Sequence, residues 1–227
     1  MTILADKKLN KILNNNKKNW QKFYSQSKVF SVFPNIQIVR LISPIKNKIK
    51  KILDIGSGEK AQTKWLKNKK IISLDYCKIK GSRIFNLDLR YDSLNLDKLI
   101  KNSELILMTQ ILDHITFQNA LSISEDINLY YDHTKFIILS FMKKDSWGSK
   151  IKGDIKYNGL YLSKIAHKSS INELHFFYND NQVSKVIKKF SNFKIINKIV
   201  ESYLYENKKN KNSSFYMNTE YYLLKRT

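Results

Sequence analysis

Cysteine is almost absent from this chain. Cys77 stands alone among 227 residues, which excludes an internal disulfide framework and a cysteine-rich zinc site. Proline occurs only at Pro34 and Pro44, and glycine six times, so each turn that needs a glycine has to be read with care. No apolar run approaches the roughly 18 residues that would span a bilayer. The opening Met1-Thr2-Ile3-Leu4-Ala5-Asp6-Lys7-Lys8 has no apolar stretch that would read as a signal peptide, and cytoplasmic residence is the expectation. No histidine-rich or carboxylate cluster suggests a catalytic metal. Arginine is scarce as well, at four of 41 basic residues, although the net charge is +22. The lysines are scattered, with heavy use of Ile, Asn and Tyr, as an AT-rich coding sequence would give. Arginine is the better reader of phosphates and bases, so this charge raises general affinity for polyanions without naming a target.

Against those absences stands one dense motif. Ile52-Leu53-Asp54-Ile55-Gly56-Ser57-Gly58 closes an apolar segment, and 21 positions after Asp54 a second apolar run, Ile71-Ile72-Ser73-Leu74, ends in Asp75. A buried strand thus delivers a carboxylate and two glycines into a tight turn. Without Cβ atoms, the glycines let the backbone approach a ligand closely. An acid about 20 residues further on sits where a ribose hydroxyl pair can be accepted. Dinucleotide folds read G-x-G-x-x-G, and the third glycine is missing here. The pattern instead resembles motif I, D-x-G-x-G-x-G, of the class I S-adenosylmethionine-dependent methyltransferases, with Lys60 in place of the last glycine.

Periodicity along the chain gives alternating elements. Residues 6–23 read as a polar helix ending in Trp20, Phe23 and Tyr24, and a short helix follows Pro34 with Ile36, Val39, Leu41 and Ile42 turned inwards. Strands are expected at 51–55, 70–75, 83–86, 104–109 and 135–141, and helices near 60–68, 94–102 and 116–130, the last with Thr116 as N-cap. Asp180 would cap a helix through Phe190, with Val183, Val186, Ile187 and Phe190 on one face. Two strand-like runs, Phe193–Ser202 and Phe215–Leu224, flank the polar 206–213 and read as a hairpin. This alternation argues an α/β, doubly wound, mostly parallel sheet. The resemblance implies seven strands with the last antiparallel. The domains expected are a helical N-terminal extension over 1–49 and a cofactor-binding domain over 50–227, with 142–179 as a substrate-recognition insertion.

The resemblance extends along the sheet. Asn86-Leu87-Asp88-Leu89 follows the third strand, where the family places a polar residue beside the adenine amino group. Glu104-Leu105-Ile106-Leu107-Met108-Thr109-Gln110 forms the fourth strand and its exit, leading into Leu112-Asp113-His114, similar to the family's L-E-H or L-D-H signature. The link from Asp75 to Asp88 is 13 residues, so the helix between the second and third strands is expected to shrink to a loop. The resemblance implies S-adenosyl-L-methionine as cofactor, held by Asp54, Gly56, Ser57, Gly58, Asp75, Tyr76, Asp88, Leu89, Thr109 and Gln110, with Tyr76 over one adenine face. Three short segments, 34–41, 113–117 and 175–178, resemble a bacterial subgroup linked to small-molecule or surface-sugar modification.

Methyl transfer is an in-line displacement at a sulfonium methyl, in which positioning and exclusion of water do most of the work. An oxygen or nitrogen acceptor also needs a base. His114 follows the strand that ends at the reaction centre and is the catalytic candidate; its alternative role is to brace the helix that begins there. Within the long 142–179 connection, Trp147, Tyr157 and His175 are the substrate-binding candidates, since loops of this length in compact domains are often functional. The resemblance implies that Trp20, Phe23 and Tyr24 close over the cofactor; the alternative for each is simple packing. The absence of an Asn- or Asp-Pro-Pro-Tyr sequence sets aside exocyclic amino-group methylation of adenine or glutamine, and Cys77 is not placed as a cytosine nucleophile. The expected partner is a small-molecule acceptor, such as a sugar or sugar nucleotide. The alternatives are an RNA methyltransferase and a catalytically silent, partner-binding relative.

Overall fold

The computed structural model describes residues 7–26, 33–58, 60–75, 77, 84–86, 102–143, 156–157, 160–163, 173–205 and 215–227. Tyr76, Asp88, Leu89 and Trp147, and the expected helix at 94–102 apart from its last residue, lie outside these residues.

Among the described residues, the long apolar runs become the strands of one seven-stranded sheet. They are β1 (Lys51–Ile55), β2 (Lys70–Asp75), β3 (Ile84–Asn86), β4 (Leu105–Met108), β5 (Phe136–Met142), β9 (Phe193–Tyr205) and β10 (Phe215–Arg226), in the order β3-β2-β1-β4-β5-β10-β9. β1 to β5 run parallel, and β10 inserts antiparallel between β5 and β9. The expected hairpin and its inserted final strand are therefore present. The central strands are buried on both faces, which is why they read as unbroken apolar runs and not as alternation. Leu53, Ile55, Ile106, Met108, Ile137, Leu139, Tyr222 and Leu224 pack on one side. Ile52, Leu105, Leu107, Ile138, Tyr221 and Leu223 pack on the other.

Helices cover both faces. α3 (Phe117–Tyr130) and α4 (Asp180–Lys188) pack on the first. α2 (Ile36–Ile42) and the 3₁₀ turn Ser43–Lys48 pack on the second. Thr116 caps α3 as expected, its hydroxyl accepting from Asn119 N at 3.1 Å. For α4 the cap is one residue earlier than the sequence suggested. Asn179 forms a capping box with Gln182, and Asp180 occupies the first turn, where a carboxylate suits the helix dipole. In α2 the inward face is Ile38, Leu41 and Ile42, and Ile36 is exposed. Asn35 caps this helix through Gln37 N and also donates to the Tyr221 hydroxyl at 3.0 Å. Leu41 and Ile42 thus face inward as expected, while Ile38 takes the buried place expected of Ile36 and Val39.

The expected helix at 60–68 does not form; the segment is a series of turns. Its two ends, Lys60 and Asn68, take positive φ angles of +61° and +64°, outside the helical region, and the segment closes on itself as turns.

The connection after β5 holds a second, three-stranded antiparallel sheet that the sequence did not suggest: β6 (Lys156–Tyr157), β7 (Leu160–Ser163) and β8 (Glu173–Phe176). It leaves and rejoins the main sheet at one point, where Lys143 bridges Tyr178 and Tyr178 N donates to Met142 O at 2.8 Å. α1 (Lys7–Gln26) lies against β8.

Candidate active site

Parallel strands place their C-terminal ends on one rim, and here β1, β2 and β4 bring the expected side chains together. The turn after β1 is bent by three positive φ angles, +70° at Gly56, +48° at Gly58 and +61° at Lys60. Lys60 therefore takes the left-handed conformation at the position where the family motif has its last glycine. The turn is docked on the end of β2: Gly56 N and Ser57 N donate to Leu74 O at 2.8 and 3.2 Å, and Gly58 N donates to Asp75 Oδ2 at 2.8 Å. A Cβ on Gly56 would lie 2.7 Å from the Ile111 side chain, and one on Gly58 would lie 2.9 Å from the Tyr24 hydroxyl.

Asp75 does more than the motif suggested. Its Oδ1 accepts from Cys77 N at 2.9 Å while Oδ2 holds Gly58, so the acid fixes the loops on either side of it. Asp54 is buried, and its Oδ2 accepts from the Thr63 hydroxyl at 3.0 Å. Burial pushes its carboxyl up to about 7; Thr63 opposes that shift, Asp75 adds to it and Lys60 opposes it. Thr63 is a site residue the sequence reading missed, because its role depends on the turns that replace the expected helix.

The exit of β4 forms the facing wall. Gln110 has φ +58° and its N donates to the Ser140 hydroxyl at 2.7 Å, which swings the chain out of the sheet into the 3₁₀ turn Leu112–His114. Thr109 is buried there. His114 sits with its Nε2 3.6 Å from Asp113 Oδ2 and with its ring edge-on to Trp20 at 5.4 Å between centroids. Trp20 in turn stacks on Tyr24 at 5.7 Å, so α1 spans from the glycine turn to His114. The side chain of Phe23 is outside the described residues.

Tyr178 also escaped the sequence reading as a site residue. It is fully buried, and its hydroxyl donates to Leu112 O at 2.9 Å, clamping the turn that carries His114. Its phenol is held well above its usual range, first by burial and then by Asp113. Phe141, Phe176 and Phe117 pack edge-to-face around it. β8 runs beside the Leu112–His114 turn. His175 therefore lies on a strand next to the rim and Tyr157 lies in β6, but the side chains of both are outside the described residues.

Two features fit a nucleoside cofactor with a polar amino-acid tail. The Ser57 and Thr109 hydroxyls are buried and have no hydrogen-bond partner among the described residues. Such groups are costly unless something accepts or donates to them. They lie on the two walls of the glycine-lined rim, the strand ends after β1 and β4.

No protein-family model and no curated protein matches this chain. Solved structures do. A SAM-dependent methyltransferase from Anabaena variabilis superposes with a TM-score of 0.58 at 14% identity, covering 95% of each chain. One from Methanosarcina mazei gives 0.57 at 12% identity, covering 87% of this chain and 99% of its own. The magnesium protoporphyrin IX methyltransferase of Synechocystis with bound SAH gives 0.55 at 12% identity, covering 98% and 100%. The chain has the fold of the class I methyltransferases.

Proposed function

We propose that this protein is an S-adenosylmethionine-dependent methyltransferase that methylates an oxygen or nitrogen of a small-molecule acceptor. The observation that carries the reading is the pairing of Asp54, Gly56, Ser57 and Gly58 with Asp75 on one rim, with Gly58 N bonded to the Asp75 carboxylate. The solved neighbours named above, and a Burkholderia thailandensis 1,6-didemethyltoxoflavin-N1-methyltransferase at TM-score 0.53, support the activity and a small-molecule acceptor. A sugar or sugar nucleotide remains our preferred acceptor class.

In this reading Asp75 accepts the ribose hydroxyls, the glycine turn takes the amino-acid tail closely, and the Ser57 and Thr109 hydroxyls gain partners. The bound cofactor supplies an electrophilic sulfonium methyl. His114 removes the acceptor's proton, and Asp113 and the Tyr178–Leu112 clamp orient it. Trp20 and Tyr24 exclude water from above. The β6–β8 sheet, returning beside His114, recognises the acceptor.

The test uses methyl-labelled S-adenosylmethionine and a panel of sugars, sugar nucleotides and small aromatic acceptors. With the acceptor that turns over, His114→Asn is expected to lower kcat by roughly 10²–10⁴-fold, the usual worth of a positioned base, while S-adenosylhomocysteine affinity stays within about twofold. Unchanged kcat would remove His114 from the chemistry.

A further inference from the structure

The lysines that are scattered in sequence are gathered by the sheet. β1, β2, β4 and β5 begin, and β10 ends, on the rim opposite the glycine turn. A row of backbone hydrogen bonds crosses that rim. Lys70 N donates to Lys50 O, Glu104 N to Lys51 O, Lys135 N to Glu104 O and Arg226 N to Lys135 O, each at 2.9 Å. Beyond them Lys225 stands opposite Lys194 of β9. Along the line β2-β1-β4-β5-β10-β9, each strand but β4 has a basic residue at its end on this rim or next to it. Lys50, Lys70, Lys135, Lys194 and Lys225 are exposed. At the 4.7–4.9 Å spacing of strands the row is about 24 Å long.

Among the described residues, little opposes this charge. Glu104 is engaged by Lys135 Nζ at 2.6 Å and by the backbone N of Lys50 and Lys51, and Asp132 faces Arg226. The buried acids Asp54, Asp75 and Asp113 lie at the opposite, glycine-turn rim. Lys194 and Lys225 are directly opposed across antiparallel strands, a like-charge arrangement that costs stability by itself and that an anion between them would offset. A single small anion would meet only one or two members of the row. An extended chain of phosphates can follow all of it. Lysine ammoniums are point charges without the planar fork that reads bases, and contacts to phosphate alone carry no sequence information.

We propose that this rim docks the phosphodiester backbone of a nucleic acid, without sequence preference, on the side of the sheet away from the methyl-transfer site. The nucleic acid is held there as a partner and not as the methyl acceptor.

The experiment titrates a labelled oligouridylate with the full chain over a range of KCl concentrations. The variant Lys50→Gln/Lys70→Gln/Lys194→Gln/Lys225→Gln is compared with Lys18→Gln/Lys22→Gln/Lys185→Gln/Lys188→Gln, which removes the same charge from exposed positions elsewhere. Counterion release contributes roughly 0.7 to the salt slope per phosphate contact on a single strand. The rim variant should therefore lower the slope of log K against log salt by about 3, and the control by less than about 1. The half-variants Lys50→Gln/Lys70→Gln and Lys194→Gln/Lys225→Gln should each give about half the change, which serves if the fourfold variant fails to fold. Saturating S-adenosylhomocysteine should leave oligouridylate binding unchanged. Equal losses in rim and control variants would overturn the proposal, as would competition by S-adenosylhomocysteine. Rim-dependent binding to phosphatidylserine vesicles, with none to oligouridylate, would overturn it in favour of a membrane surface.

Discussion

Lys60 holds a backbone angle that suits glycine, φ +61°, and so keeps the shape of the turn while departing from the glycine of the motif. A left-handed conformation costs an L-residue about 1–2 kcal/mol, and glycine gives back about 0.4–1 kcal/mol through its freer unfolded chain. Lys60→Gly should therefore stabilise the protein by about 1 kcal/mol, seen as a higher denaturation midpoint with unchanged denaturant slope. A lower midpoint would mean that the Lys60 side chain contributes more than its backbone costs. The sequence showed the departure at this position. Whether the turn would survive it depended on φ, which residue types alone do not give.

The connection between β1 and β2 is the element where pattern reading failed, and the reason is geometric. Its apolar residues Leu66 and the half-buried Trp65 do face the core, but left-handed backbone at Lys60 and Asn68 makes the segment a series of turns. What holds the turns in place is Thr63 on Asp54, together with Trp65 Nε1 donating to Gln62 O at 2.8 Å. Because the folded carboxyl of Asp54 titrates near 7 against an ordinary value of 3.8, the folded state binds more protons than the unfolded one between those values. Its contribution to stability is therefore largest at low pH and is lost as pH rises through about 7. Asp54→Asn should flatten that part of the stability profile in denaturant titrations between pH 5 and 8, with the largest relative gain at the alkaline end. An unchanged profile would show that Asp54 is already ionised at pH 5. The central strands, by contrast, were legible to within one or two residues at most ends, because burial on both faces leaves unbroken apolar runs. The β6–β8 sheet was not legible, since its strands span only two to four residues each.

At the scale of the whole molecule the sheet separates two kinds of charge. Buried acids gather where β1, β2 and β4 end, and exposed lysines stand at the opposite rim, where β1, β2 and β5 begin and β10 ends. The acids were readable as a motif because they sit at fixed distances in sequence. The lysine rim was not, because its members come from strands that are neighbours only after the chain has folded in the order β3-β2-β1-β4-β5-β10-β9. Tyr178 and Thr63 were hidden for the same reason: each acts on a residue far along the chain or across an unexpected turn.

The central claim is that the acid rim binds S-adenosylmethionine. The direct measurement is calorimetric titration of S-adenosylhomocysteine into wild-type protein and into Asp75→Asn, with thermal unfolding to verify that both are folded. Binding in the micromolar range is expected for wild type. The substitution should weaken it by about 1.5–3 kcal/mol, the worth of hydrogen bonds to a charged acceptor and roughly a tenfold to hundredfold loss. No heat of binding from a folded wild-type protein, or equal affinity in the two, would contradict the account.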